Sequence, residues 1–271
     1  INADNVLDSV SGLSTLNNRG TISGAFQSGS GNVLIQNLLG GVVNLGDPAG
    51  SSFGGAGDRF VNEGVLTAFG TTGLGGLEQF TNAATGAVDI SNGAGGDNLT
   101  VGVNMVNEAG SRILMDVDLS NPTSASQNDV ITVLGNLTSD GGAFVLENIA
   151  STPSIVDFPE LVLIKAGSVD PGARFTVTGL ENLGLFSYQA LTSGSNIVLR
   201  SLLDAQAAGG IVSNFITAQN SVSNAFFKPA SGFVSSPLDP APNQLGFSPW
   251  FRASGGLTNQ GSSGVAFLSN G

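Results

Sequence analysis

The sequence predicts an all-β fold, a right-handed parallel β-helix, chiefly because one phrase recurs along the first half of the chain. In each copy an apolar residue stands two positions before an Asn, and a Gly and alternating apolar residues follow. Short strands joined by Asn and Gly turns at a period of 20 to 25 residues are typical of a stacked solenoid. The strands are too short and polar for a leucine-rich repeat, and no helical pattern separates them. The marked residues are Asn18, Asn37, Asn62, Asn82 and Asn107, at steps of 19, 25, 20 and 25 residues.

Composition supports a packed β solenoid and excludes several function classes. The 271 residues include 40 Gly, are 41% apolar and only 10% charged, which argues against intrinsic disorder. The net charge of −12 with 8 Lys and Arg leaves no basic face to neutralise phosphates. Nucleic acids and anionic membrane surfaces are therefore not expected partners.

The chain has neither Cys nor His. That removes Ser-His-Asp and Cys-His catalytic arrangements, the usual zinc sites, and haem held by His or Cys. No apolar run reaches 18 residues, so no hydrophobic spanning helix is predicted. Because the chain begins Ile1-Asn2-Ala3 without a signal-peptide pattern, we expect an internal fragment whose targeting peptide lies outside it.

Residues 1–127 are predicted to form the β-helix coils. Equivalent residues of successive coils stack about 4.8 Å apart in such a fold. The recurring Asn is therefore expected to form a ladder, its side-chain amide bonding both the next Asn and the turn backbone. The Gly that follows two to four positions later is expected to supply a positive φ. The alternative is ordinary Asn-Gly turn chemistry in a glycine-rich chain.

Residues 128–200 lack the phrase and contain longer apolar strand patterns. A solenoid must cover its last coil, because open strand edges and an open core would aggregate. We therefore predict a C-terminal β cap over 128–200.

Residues 201–228 show helical spacing of apolar residues, with Ser201 and Asp204 as candidate N-caps and Pro229 as the stop. No charged residue occurs from Ala205 to Phe227. A solvated helix normally carries Lys and Glu on its outer face. The pattern therefore predicts a neutral linker helix enclosed by a polar surround, and a surface helix or flexible linker is the alternative. Residues 229–271 are predicted to be a Pro-rich loop and one strand segment, 247–256, without a partner strand.

The order of these zones resembles the C-terminal end of a one-partner bacterial autotransporter of the type V secretion system. The cap-like region runs from "NDVITVLGN" through "PELVLIKAG" to "FSYQALTSGSNIVLRS", the uncharged helix follows, and "SPWFRASGG" is similar to a first barrel strand. The resemblance implies a β-helical passenger, an autochaperone cap over 128–200, a linker helix over 201–228, and over 229–271 the start of an incomplete translocator barrel.

The resemblance also implies a place and partners. The passenger would lie at the bacterial cell surface or outside the cell, reached through the outer membrane. Its partners would be its own C-terminal outer-membrane β-barrel and a host cell surface or matrix. The chain departs from the family in two respects: Asn214, Asn220 and Asn224 include no adjacent Asn pair for self-cleavage, and no protease motif is present.

Two segments are candidate sites. Residues 92–100, "NGAGGDNLT", resemble the calcium nonapeptide of repeats-in-toxin proteins, but a glycine-rich turn is the preferred interpretation because tandem copies are missing. Asp116 and Asp118 alternate along a strand, as in β-helical polysaccharide enzymes, yet a solvated outer face is preferred. Tyr188 and Trp250 are candidate exposed aromatics. The sequence therefore predicts no catalytic, cofactor-binding or metal residues.

Three function classes follow from these observations. The preferred one is non-enzymatic: a secreted or surface-exposed stalk of an adhesin or virulence factor, whose cap nucleates folding during outer-membrane translocation. The alternatives are a β-helical enzyme acting on polysaccharide and a structural subunit of a fibre or appendage.

Overall fold

The computed structural model describes residues 2–5, 14–46, 50–120, 128–150, 160–181, 186–203, 213 and 215–220. The chain divides into two units, 1–202 and 203–271, which are considered separately. The strands are β1 Asn2–Asn5, β2 Ser14–Asn18, β3 Thr21–Ala25, β4 Val33–Asn37, β5 Val42–Leu45, β6 Ser51–Ser52, β7 Arg59–Asn62, β8 Val65–Ala68, β9 Thr71–Gly75, β10 Gln79–Asn82, β11 Ala87–Asp89, β12 Asn98–Val101, β13 Asn104–Asn107, β14 Arg112–Val117, β15 Val130–Asn148, β16 Leu161–Val169, β17 Arg174–Thr178, β18 Phe186–Ser193 and β19 Asn196–Leu203.

Parallel pairing between successive coils organises the first unit. A first face consists of β2, β4, β7, β10, β13 and residues 137–139 of β15. A second face consists of β1, β3, β5, β8, β11, β14, residues 143–148 of β15, and β17. A third face consists of β6, β9, β12, residues 130–133 of β15, and β16. The predicted class, an all-β parallel β-helix, is confirmed.

The registers explain why the phrase repeats. Phe60 pairs with Ile35 on one side and with Phe80 on the other, and Asn62 pairs in the same way with Asn37 and Asn82. Because side chains alternate between the two faces of a strand, a residue and the one two positions later point the same way. The apolar residue and the Asn of each phrase therefore both point inwards.

The core is a continuous stack of apolar side chains. Phe60 contacts Phe26 and Phe80 edge-to-face, with ring centroids 6.0 Å and 5.5 Å apart, a favoured aromatic geometry. Phe144 and Phe175 continue the stack nearer the C-terminal end at 4.7 Å. This continuity gives each coil a buried surface on which the next coil packs.

The pairing changes character at the C-terminal end of the first unit. β16 and β17 still pair in parallel with β15, so parallel pairing continues through Thr178, well past residue 128. β19 then pairs antiparallel with β16, which covers the edge of the third face. An antiparallel strand cannot be followed by a further parallel coil in the same register, so the solenoid ends here.

The start of the predicted helix is wrong. Residues 201–203 belong to β19, and Ser201 is a buried strand residue rather than an N-cap. In the second unit, residues 213 and 215–220 are helical, within the predicted span. Asp204, Pro229 and the zone 229–271 lie outside the described residues. In the part of the chain that the structure describes, no helix is long and apolar enough to cross a membrane.

Candidate functional site

The most regular feature of the molecule is a ladder of buried asparagines at one corner of the solenoid. Each side-chain Nδ2 donates to Oδ1 of the Asn in the next coil towards the C-terminus. The distances are 2.9 Å for Asn18 to Asn37, 2.8 Å for Asn37 to Asn62, 3.0 Å for Asn62 to Asn82 and 3.0 Å for Asn82 to Asn107. The predicted ladder is confirmed at all of its steps.

The second Nδ2 hydrogen of a ladder Asn donates to a backbone carbonyl in the turn of the next coil. Asn37 Nδ2 donates to Val65 O at 3.0 Å, and Asn62 Nδ2 donates to Ala87 O at 2.9 Å. These carbonyls lie just after the phrase glycines, where the turn would otherwise leave an acceptor without a donor. Because unpaired buried polar groups are costly, the ladder stabilises both side chains and backbone.

A hydroxyl ends the ladder at the C-terminal side. Asn107 Nδ2 donates to Ser139 Oγ at 3.5 Å, and Ser139 Oγ donates in turn to Arg174 O at 2.8 Å. A serine offers one donor and so cannot continue both amide bonds. The ladder therefore stops on the coil formed by β15, and the parallel strands β16 and β17 that follow carry no further Asn of the ladder. Ser139 was not predictable from the sequence, because it lies outside the repeated phrase.

The phrase glycines are required for a reason other than the predicted one. Among Gly20, Gly41, Gly64, Gly86 and Gly110, a positive φ is found at Gly110 alone. At Gly64 an added Cβ would lie 2.8 Å from Leu38 O and closer still to Gly41 O. The prediction of positive φ is therefore wrong for four of these glycines, three of which are needed for close approach between coils. In the Asn37 phrase the positive φ, +84°, is found at the adjacent Gly40 instead. At Gly20 a Cβ would meet nothing within 4 Å.

Residues 92–97 form a turn that carries glycines with positive φ, +83° at Gly93 and +104° at Gly96. Asn92 Oδ1 accepts the Ala94 N–H at 2.8 Å, and Asn92 Nδ2 donates to Asp97 Oδ2 at 2.8 Å. These bonds fit the preferred interpretation as a glycine-rich turn. Among the described residues, no group of His, Cys, Asp and Glu is arranged to hold a metal ion.

Asp116 does not lie on a solvated face, so that prediction is wrong. Its side chain is fully buried, and Oδ2 accepts the backbone N–H groups of Asn92 and Gly93, both at 2.7 Å. Asp118 is partly buried, and its Oδ1 accepts from Ser120 N at 2.9 Å and Ser120 Oγ at 2.5 Å. Asp116 is held inside because the 92–97 turn brings backbone donors that only an inward carboxylate can reach.

Three further buried carboxylates were missed in the sequence. Asp58, Asp97 and Asp129 each stand immediately before a strand and accept a backbone N–H from the preceding coil. Burial raises the pKa of Asp129 to about 7. The backbone N–H groups of Asp116 and Asp97 act in the opposite direction, because their hydrogen bonds favour the charged carboxylate. Burial likewise raises the pKa of Asp97. The signal that could have revealed them is the recurrence of Asp directly before strands.

The C-terminal edge is fastened by polar contacts as well as by strand pairing. Glu160, just before β16, forms an ion pair with Arg200 on β19 and accepts from Ser193 Oγ at 2.7 Å. The Ser193 and Arg200 hydrogen bonds hold the pKa of Glu160 below its usual value. Tyr188 packs against the core rather than standing free, and burial raises its pKa. Trp250 lies outside the described residues.

One open groove borders the second face beside the 89–97 turn. Its lining includes Ser91, Leu114, Glu147, Asn148 and Gly179. Among the described residues that line this groove, Glu147 is the one carboxylate, whereas general acid and base hydrolysis of a glycosidic bond uses a pair. No family model matches the chain, and no curated protein matches it.

Proposed function

We propose that this chain is the C-terminal part of a secreted or surface-exposed autotransporter passenger, whose coils form a stalk and whose C-terminal cap nucleates folding during outer-membrane translocation. An adhesin or virulence factor is the class of protein that such a stalk would serve. One observation carries the proposal: the coils stack in parallel and are linked by the asparagine ladder, and an antiparallel strand, β19, closes the stack at its C-terminal end.

The direction of the ladder supports growth from the C-terminal end. A folded coil presents Asn Oδ1 and a turn carbonyl as acceptors to the coil before it, as Asn62 and Val65 do for Asn37. A chain that emerges with its C-terminal end first would meet these acceptors already fixed in position. Each arriving coil then pairs without having to create its own template.

Burial supplies the driving force. Each coil adds fully buried side chains, such as Phe60 and Leu66 or Phe80 and Val88. Burying apolar surface is worth about 25 cal/mol per Å², so a docked coil resists returning to an extended state. We infer that this gain opposes backward slippage through the outer membrane.

The closing strand supports the role of the cap. β19 occupies the β16 edge that would otherwise recruit another strand. An edge that is covered at one end leaves growth possible only at the other. The cap would then set the polarity of stacking.

The helical segment fits the linker part of the proposal. Phe215 and Ile216 are 70% and 50% exposed, and no charged residue occurs from Ala205 to Phe227. Apolar and uncharged surface is poorly suited to bulk water, so we propose that this helix is enclosed by the translocator barrel.

Refolding kinetics can test nucleation at the cap. Ile164 on β16 and Ile35 on β4 are both fully buried, so Ile→Val at each site gives a matched pair. We expect Ile164→Val to slow refolding with a φ-value near 1, and Ile35→Val to act mainly on unfolding with a φ-value near 0. Equal φ-values, or the reverse order, would contradict nucleation at the cap.

Secretion needs its own test. The complete product of the gene would be expressed in a Gram-negative bacterium and probed by protease on intact cells. We expect the β-helix to be surface-exposed, and Val198→Pro in β19 to trap it in the periplasm because Pro disrupts the closing strand. Surface exposure that is unaffected by Val198→Pro would count against the cap, and retention of the unaltered chain inside the cell would count against secretion.

A further inference from the structure

Three aspartates that the ladder does not involve come together at another corner of the solenoid. Asp97 precedes β12, Asp116 lies on β14, and Asp129 precedes β15. They are 8%, 0% and 0% exposed. The carboxyl groups therefore meet only when the coil that contains β14 and the start of β15 has stacked on the coil before it.

Nearly all carboxyl oxygens of this cluster accept hydrogen bonds. Asp97 Oδ1 accepts from Gly70 N at 2.7 Å, while Asp129 accepts from Asp97 N at 3.0 Å on Oδ1 and from Asp116 N at 2.7 Å on Oδ2. Asp116 Oδ2 is held by two backbone N–H groups, as described above. Asp116 Oδ1 is fully buried and has no hydrogen-bond partner among the described residues.

No basic side chain neutralises the cluster within the described residues. On the strands packed around it, Arg112 lies at the exposed start of β14, and Lys165 is exposed on β16. The remaining ionisable neighbours, Asp89, Asp118, Asp140 and Glu147, are acidic and none is buried. Three adjacent buried negative charges without a cation would be strongly unfavourable.

The unpaired Asp116 Oδ1 limits which species, among a water, a divalent cation and a proton, can complete the site. No water-sized space adjoins Asp116 Oδ1, since its accessible area is below 1 Å². A divalent cation would need six or more oxygen ligands, but most of these oxygens already face backbone N–H groups. A proton needs no extra volume and converts one carboxylate into the donor that Oδ1 lacks.

We propose that Asp97, Asp116 and Asp129 form a proton-binding site, and that this buried cluster as a whole holds one proton at near-neutral pH. Stacking of this coil takes the proton up, and unfolding releases it. The charges of Asp116 and Asp97 add to burial in raising the pKa of Asp129 to about 7.

The sign of the pH dependence follows from linkage. Asp129 has a folded-state pKa of about 7 and an ordinary value of 3.8, so between these values the folded chain holds more protons than the unfolded chain. Stability from this group is fully present below about pH 4 and is lost as the pH rises towards 7. We therefore expect unfolding between pH 5 and 6.5 to release about one proton from this site.

Asp116→Asn tests the site directly. The amide can keep its oxygen on the Asn92 and Gly93 N–H groups and place Nδ2, a permanent donor, at the position of the unpaired Oδ1. It also removes the Asp116 charge that raises the pKa of Asp129. Urea unfolding from pH 5 to pH 8 should then show a clearly smaller proton release than in the unaltered chain, with a relative gain in stability at pH 8. Asp118→Asn, which alters a nearby carboxylate outside the cluster, should leave the pH dependence unchanged.

Two results would overturn the proposal. One is a pH dependence in Asp116→Asn equal to that of the unaltered chain. The other is stabilisation of the unaltered chain, but not of Asp116→Asn, by millimolar calcium chloride at constant pH, which would indicate a cation site. Should Asp116→Asn fail to fold, carboxyl ¹³C NMR of the unaltered chain decides: a carboxyl titrating near pH 7 supports the site, and none titrating above about pH 5.5 refutes it.

Discussion

Single side chains in the asparagine ladder carry more hydrogen bonds than their size suggests. Asn62 accepts from Asn37 and donates to Asn82 and Ala87. Asn62→Ala therefore leaves one buried donor, on Asn37, and two buried acceptors, on Asn82 and Ala87, without their partner. At roughly 1–3 kcal/mol for each unsatisfied buried group, with partial relaxation, we expect a loss of about 2–4 kcal/mol in unfolding free energy. Urea denaturation measures it.

The matched control for this variant is Asn17→Ala. Asn17 precedes a ladder residue but points outwards and is exposed. Its replacement should change the unfolding free energy by less than about 0.5 kcal/mol. Equal losses in the two variants would show that the ladder adds nothing beyond ordinary Asn-Gly turn chemistry.

The phrase glycines allow a second residue-scale prediction, in which two equivalent positions behave differently. Gly64→Ala forces a methyl group against Leu38 O and Gly41 O, which are backbone atoms fixed by the neighbouring coil, so we expect a loss of about 2–3 kcal/mol. Gly20→Ala meets open space at an ordinary φ and should be neutral within about 0.5 kcal/mol. Thermal unfolding of both variants checks this, and similar melting temperatures would contradict close approach as the reason for Gly64.

At the residue scale, the periodicity of the sequence identified the side chains that recur in every coil, but not those that occur only once. Asn18 to Asn107 were predictable because the same inward position recurs in every coil. Asp116 was misplaced, because its burial depends on backbone donors from a turn about 24 residues earlier. A strand pattern alone does not contain that information.

At the scale of elements, the closing strand is the part whose removal should have the clearest consequence. A chain that ends at residue 181 lacks β18 and β19 and so exposes the β16 edge. Open parallel edges recruit other strands. We expect concentration-dependent association of this truncated chain in sedimentation experiments, whereas the chain with β19 in place stays monodisperse.

The ion pair is the control for that truncation. Arg200 and Glu160 are substantially exposed, and exposed pairs contribute little to stability. Arg200→Ala should therefore leave both the unfolding transition and the association state unchanged. Association of Arg200→Ala to the same extent as the truncated chain would mean that the ion pair, rather than edge coverage, prevents self-pairing.

Strand patterns were easier to predict than element boundaries. The sequence pattern predicts separate strands over 129–136 and 143–148, which the structure joins into β15, and a strand over 196–200, which lies in β19. The helix is predicted to begin at Ser201, where β19 still continues. Leu202 and Leu203 suit either a strand or a helix with apolar residues on one side. The structure places both in β19, beyond the last residue that pairs with β16, Leu199, and Ser187 Oγ of β18 donates to Leu202 O at 3.5 Å.

For the whole molecule, nearest-neighbour stacking predicts that a destabilising substitution loosens the coils on its N-terminal side and not those between it and the cap. Coils of a solenoid contact only their neighbours, so stability is close to a sum of coil and interface contributions. The coils before β7 reach the closing strand only through the coil that contains Asn62. Asn62→Ala should therefore uncouple the N-terminal coils from the cap.

Hydrogen exchange followed by mass spectrometry can resolve this uncoupling along the chain. We expect amides in residues 14–62 to exchange faster in Asn62→Ala, while residues 130–178 keep the protection they have in the unaltered chain. The reason is that local opening can then begin at the weakened interface and spread away from the covered end. Asn17→Ala should show no such change. A uniform rise in exchange from β2 to β17 would instead mean that all coils unfold as one cooperative unit, which would remove the physical basis for coil-by-coil folding from the cap.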